Sequence, residues 1–146
     1  MLDRAGIAAC LPHTGRMCLL DQVIFWDERS IRCRAVSHRD ADNPLREAGG
    51  LAALAAIEYA AQAAAVHGAL LHGRNVPRGG VLALLKDVVA LRPWLDDLDD
   101  DLVIEATLLH SDPSGGIFSF KACAGATPVL SGQFTLMYID TSQAPA

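Results

Sequence analysis

A chain of 146 residues with 51% hydrophobic side chains has the length of one domain and enough apolar volume to fill one core. Its 12 Lys and Arg against 17 Asp and Glu leave a formal charge of -5, which excludes the basic footprint of a nucleic-acid binder or of a protein drawn to anionic lipid. Cys10, Cys18, Cys33 and Cys123 form no CxxC pair and sit among apolar residues, so they read as reduced core thiols of a cytoplasmic protein, and no metal site is expected.

The opening, MLDRAGIAACLPHTG, has no basic segment leading into an apolar run, so no export signal is expected. CLLDQVIFW and SIRCRAV then bracket the polar turn DERS; Ile31, Cys33 and Ala35 alternate with Arg32 and Arg34, the pattern of a half-buried hairpin strand. The polar stretch SHRDADNPLREAGG follows, where Pro44, Gly49 and Gly50 mark irregular backbone. Residues 51–71, LAALAAIEYAAQAAAVHGALL, are nominally long enough to cross a bilayer. Ten of these 21 residues are Ala, however, and Glu58, Gln62 and His67 interrupt the run, so it reads as a core helix ending near Gly73 rather than a membrane span.

VLALLKDVVAL, LVIEATLLH, GIFSFKACA and VLSGQFTLMYI come next, separated by DDLDDD, SDPSG and GATP, and predict four antiparallel strands joined by tight turns. Phe118, Phe120 and Ala122 share one face against Ser119 and Lys121; Leu130, Phe134 and Leu136 share one against Ser131, Gln133 and Thr135. The acidic run Asp96, Asp97, Asp99, Asp100 and Asp101 reads as a solvated turn, and residues 141–146 as a loose tail. Two strands, one helix apolar on every side and four more strands give a single α+β domain over residues 1–146, its antiparallel sheet curled around the helix.

Within that helix, Glu58 carries the strongest chemical signal. A carboxylate buried in an apolar helix is pushed toward its protonated form, which suits a general acid. Two structural readings compete: a bond to Gln62 one turn along, or a place at a solvent edge. His67 falls on the opposite helix face from Glu58, while His72 lies fourteen residues on, and both read as structural or exposed; His110 reads as a surface residue. His13, in LPHTGRM, and His38, in VSHRDADNP, occupy irregular segments able to approach the helix start. No GxSxG elbow, HExxH, phosphate loop or dinucleotide fingerprint occurs.

LPHTGRMCLLDQV, then NPL, then IEYAAQAAAVHGAL resemble the hot-dog (3R)-hydroxyacyl-acyl-carrier-protein dehydratases, which open LPHRxPxLLxDRV and carry ExxAQ on the central helix. The likeness runs from about residue 8 to 139 and is closest to the subfamily of aryl-polyene and related pigment clusters, whose helix reads GIEYMAQ. It implies a hot-dog fold that pairs as a homodimer or with another hot-dog protein. It also implies dehydration of 3-hydroxyacyl thioesters to trans-2-enoyl thioesters, in fatty-acid-like or polyene biosynthesis. The substrate would ride on the phosphopantetheine of acyl carrier protein or coenzyme A, with no other cofactor.

By the same resemblance Glu58 is the helix acid and Gln62 the Gln beside the substrate. The family's base, a His in HFPxxPxxPG, has no counterpart, since NPLREAGG stands there and no His lies between Pro44 and Glu58. His13 is the first replacement and His38 the second. Gly49 and Gly50, before the helix, would let substrate approach the N–H groups of its first turn, where the dipole favours an enolate oxygen. Arg74 and Arg78 are candidate contacts for an acidic carrier protein. Two alternatives are a non-catalytic subunit lending half a tunnel to a complete paralogue, and a thioesterase in which Glu58 activates water.

Overall fold

The computed structural model describes residues 2–11, 17–73 and 79–139. The chain begins with a short helix, α1 (Arg4–Cys10), capped by the Asp3 carboxylate accepting from the Gly6 N–H at 2.9 Å. Seven residues are too few to leave a periodic signal in the sequence; α1 serves to press Ile7 into the core. The expected hairpin follows as β1 (Gln22–Trp26) and β2 (Ser30–Ala35). Its turn is tied by Asp27 Oδ1, which accepts from the N–H groups of Arg29 and Ser30. Ile31, Cys33 and Ala35 are fully buried, as their alternation requires, and burial pushes the Cys33 thiol up to about 12, keeping it a thiol.

A single 3₁₀ turn, Ala53–Ala55, runs into the long helix α2 (Ala56–His72). Gly73 ends it with φ 59°, its N–H bonding back to the Ala69 carbonyl, a left-handed cap that a glycine adopts without strain. The remaining strands are β3 (Gly79–Ala90), β4 (Leu102–Asp112), β5 (Gly115–Ala124) and β6 (Thr127–Ile139). The described residues form one antiparallel six-stranded sheet in the order β1-β2-β4-β5-β6-β3. Its concave side stacks Phe118 and Phe120 against Phe134, and the His67 ring of α2 meets the Phe118 face edge-on at 6.1 Å between centroids.

Two sequence expectations need correction. β3 does not pair with β4; it pairs with β6 at the far edge, so DDLDDD belongs to a long crossing rather than a tight hairpin turn. That crossing is fastened to the start of α2: the Leu95 N–H donates to the Leu51 carbonyl and the Ala53 N–H to that of Pro93. Its acids are not simply solvated, because Asp96 pairs with Arg46 at 3.2 Å and Asp101 with Arg34 and Arg39 at 2.9 and 2.8 Å.

Nor is α2 buried on every side. Tyr59, Ala60, Ala63, Ala64, Val66 and His67 press into the sheet, while Leu54, Glu58 and His72 are exposed and Ala61 and Ala65 half-exposed. Leu54, Glu58, Ala61 and Ala65 recur every three or four residues, with His72 two turns further on, and so form one stripe along the helix. A curled sheet of six strands covers part of the helix circumference, and the stripe lies where the cover stops. Residues Ala53–His72 are long and apolar enough to pass as a membrane span, but 61% of that segment is buried, the mark of a core helix.

Candidate active site

Glu58 sits in the first turn of α2 on the uncovered stripe, at a pocket with an empty volume of about 510 Å³, partly open to solvent. Leu11, Met17, Leu19 and Leu45 wall it on one side, Ala61 and Ala65 continue the helix stripe, and Gly80 and Leu136 close it from β3 and β6. Its polar side chains are those of Glu58 and Gln62. Glu58 is exposed rather than buried, so the sequence argument from a buried carboxylate does not describe this chain as it stands, and the competing solvent-edge reading does. Among the described residues its carboxylate makes no hydrogen bond or ion pair.

Among the described residues Glu58 is left bare, its neighbours on the helix bonding elsewhere. Gln62 is 7% exposed; its Oε1 accepts from the Leu19 N–H at 2.9 Å and its Nε2 donates to the Met17 carbonyl at 2.6 Å. Each end of the amide thus bonds the backbone of the 17–19 wall, which makes Gln62 a wall support, and no bond from it to Glu58 is present among the described residues. Tyr59, fully buried, does the same for the Leu45 part of that wall. Its hydroxyl bonds Ser37 Oγ at 2.7 Å and accepts from Asn43 Nδ2 at 3.0 Å, while Asn43 Nδ2 also donates to the Ser37 carbonyl and Asn43 Oδ1 accepts from the Leu45 N–H. Asn43 therefore folds NPL so that Leu45 reaches the pocket. Ser37, Asn43 and Tyr59 escaped the sequence reading; a tyrosine between the Glu and Gln of IEYAAQ, with a polar loop ahead of the helix, was the available signal.

The histidines divide sharply. His38, the second candidate base, is fully buried away from this pocket, with Nε2 facing the carbonyls of Leu98 and Asp100 at 3.2 and 3.0 Å. Those atoms only accept, so Nε2 carries the proton, and the ring works as a strut between the loop after β2 and the start of β4. Burial, then the nearby Arg39 charge, lowers its pKa and keeps it neutral. His67 is likewise a buried strut, its Nε2 donating to the Asp27 carbonyl at 2.8 Å, with burial lowering its pKa. His72 and His110 are exposed. The first candidate base, His13, lies outside the described residues, though Leu11 and Met17, which bracket its segment in the sequence, both line the pocket.

Gly49 and Gly50 do not line the pocket. A Cβ on Gly49 would stand 3.1 Å from the Trp94 ring, and one on Gly50, whose φ is 123°, 2.8 Å from an Asp96 oxygen. Both glycines let the loop before α2 close onto the 91–101 crossing, a packing role in place of the expected substrate approach. The helix itself starts later than the pair suggested, at Ala56 after the 3₁₀ turn Ala53–Ala55. Arg74 and Arg78 lie outside the described residues.

A long helix held in a curled antiparallel sheet, with one acid bared at the uncovered stripe, defines a hot-dog protein. The neighbouring structures agree. The dehydratase heterocomplex ApeI:P from Xenorhabdus doucetiae superposes with TM-score 0.82 at 25% identity, over 94% of this chain and 93% of that one. AziG from S. sahachiroi gives 0.60 at 18% identity over 84% and 92%, and PaaI from E. coli 0.56 at 14% over 80% and 81%, both showing the fold alone. The search of curated proteins found no match. The sequence pattern of the ApeP-like dehydratases (ApeP dehydratase) matches residues 5–144, and the chain belongs to that family.

Proposed function

We propose that this dehydratase acts on 3-hydroxyacyl groups held as thioesters on the phosphopantetheine arm of an acyl carrier protein, with Glu58 as the acid. The observation that carries the reading is the Glu58 carboxyl, unpartnered among the described residues, at a largely apolar pocket in a chain of the dehydratase family. In the reaction a base takes the proton on the carbon next to the thioester carbonyl, the carbon–oxygen bond of the 3-hydroxyl breaks, and Glu58 in its acid form protonates the departing oxygen. The products are water and a trans-2-enoyl thioester. No electrons leave or enter, so the chemistry asks for no redox cofactor. We assign the base to His13, because the described histidines are struts or lie on the surface.

Assembly belongs to the same proposal. The pocket opens beside edge strand β3, so a second chain paired there would cover the stripe and desolvate Glu58, raising its pKa toward that of a working acid; the related structure, itself a heterocomplex, favours assembly with a second chain. Four free thiols suit a reducing cytoplasm. Arg74 and Arg78 remain our candidates for carrier docking.

The test is incubation of the native assembly with a 3-hydroxyacyl carrier protein and mass spectrometry for loss of one water. Glu58→Gln should slow that loss by about 100- to 10,000-fold, and His13→Ala comparably. Activity at full rate in both variants would refute the assignment and leave a non-catalytic partner role. Release of free carrier thiol in place of water would mean a thioesterase.

A further inference from the structure

β3 contains two glycines at its start, and Gly80 lines the Glu58 pocket. A glycine inside a strand weakens it, and is normally retained either for a left-handed φ or for room. Gly50, Gly73, Gly115 and Gly125 have positive φ; Gly80 does not, so room is what it provides. A Cβ built there would stand 2.8, 3.0 and 3.3 Å from Cδ1, Cγ and Cδ2 of Leu136. The Leu136 side chain thus lies over the bare Gly80 backbone, buried to 1% exposure, and both residues form one wall of the pocket. Facing them are Ala61 and Ala65. Ala65 is seven residues from Glu58, about 10 Å along the helix axis.

Between the acid and Ala65 the described lining holds one polar side chain, Gln62, whose oxygen and nitrogen each already bond the backbone. An apolar chain suits such a wall better than a polar one. We propose that the Gly80–Leu136 pair is the specificity element for acyl length, Gly80 giving Leu136 a seat outside the path of the chain. Any side chain at position 80 unseats Leu136 and drives it toward Ala61 and Ala65, closing the far end while leaving the Glu58 end unchanged. The inference rests on the acyl-thioester reading of this pocket.

Binding of two inert thioethers of pantetheine, one butyl and one decyl, measured by calorimetry on the full chain in its native assembly, tests it. Gly80→Ala should weaken the decyl compound roughly ten-fold or more while leaving the butyl compound within about two-fold, the size expected when a few methylenes lose their place. Leu136→Ala opens the same point from the other side and should tighten the decyl compound; added to Gly80→Ala it should restore binding. Equal weakening of both compounds, or no effect of either substitution on the decyl compound, would overturn the assignment of Gly80. Failure of the unsubstituted protein to bind either compound would instead sink the pocket reading on which it rests, so the two failures are separable. If Gly80→Ala does not fold, Leu136→Ala alone decides.

Discussion

The two edges of the sheet are built differently. β1 is five residues long, bulged between Val23 and Phe25, and lined by the start of the chain: the Val23 N–H donates to the Leu2 carbonyl and Asp3 bridges to Gln22. Its exposed Phe25 ring is partly screened by the Arg32 guanidinium, 5.8 Å from the centroid. β3 is twelve residues long, is paired on one side by β6, and has no described segment along its other side. It leaves Leu84 61%, Leu85 47% and Val89 50% exposed. A monomer that shields a short edge and bares a long apolar one has reserved the latter for pairing. The candidate site lies on the bare side, where Gly80 of β3 is part of its wall.

The contrast predicts unequal mutational effects. Leu85 is registered with buried Phe134 and so shares the concave face, yet stands half open. Leu85→Asp should raise the dissociation constant of the assembly by about 30-fold or more, the scale of an interface anchor, whereas Phe25→Asp should leave the sedimenting mass unchanged. Equal dissociation by both would erase the distinction between the edges. A smaller effect separates two neighbours on α2: Gln62→Ala strands the buried N–H of Leu19 and the part-buried carbonyl of Met17 and should cost about 1–3 kcal/mol in urea unfolding, while Glu58→Gln should leave the midpoint in place.

The mildest effect concerns acid, and it falls on the shielded side. His38 and His67 have pKa values lowered from 6.5 by burial, and each Nδ1 is buried without a partner. A folded pKa below the unfolded value means that the unfolded chain binds the extra proton first. The stabilisation is complete above pH 6.5 and is lost as pH falls through the folded values. Hydrogen exchange under mild acid should therefore rise first where the two struts attach, at the Asp27 turn and at residues 98–100, and later in β5 and β6.

Much of this architecture was legible in the sequence because it repeats: the alternation in β2, β5 and β6 and the Gly73 stop are local signals. The sheet order was not, since nothing within VLALLKDVVAL distinguishes an apolar strand buried in the middle of a sheet from one awaiting a partner at its edge. The same blindness left the place of Glu58 open between a buried site and a solvent edge. Its apolar neighbours suggested burial, but whether a helix face is covered depends on how far six strands reach around it. Gln62 and His38 were recognised as unusual polar residues, yet their backbone partners lie 43 to 62 residues away in sequence, beyond any periodic reading.

The central claim, that the Glu58 pocket becomes an active site when β3 is paired, is tested most directly by the rate of water loss from a 3-hydroxyacyl carrier protein as the enzyme is diluted through its dissociation range. Specific activity should fall in step with the assembled fraction, and Leu85→Asp should shift both curves together to higher concentration. Constant specific activity in the dissociated chain would contradict it.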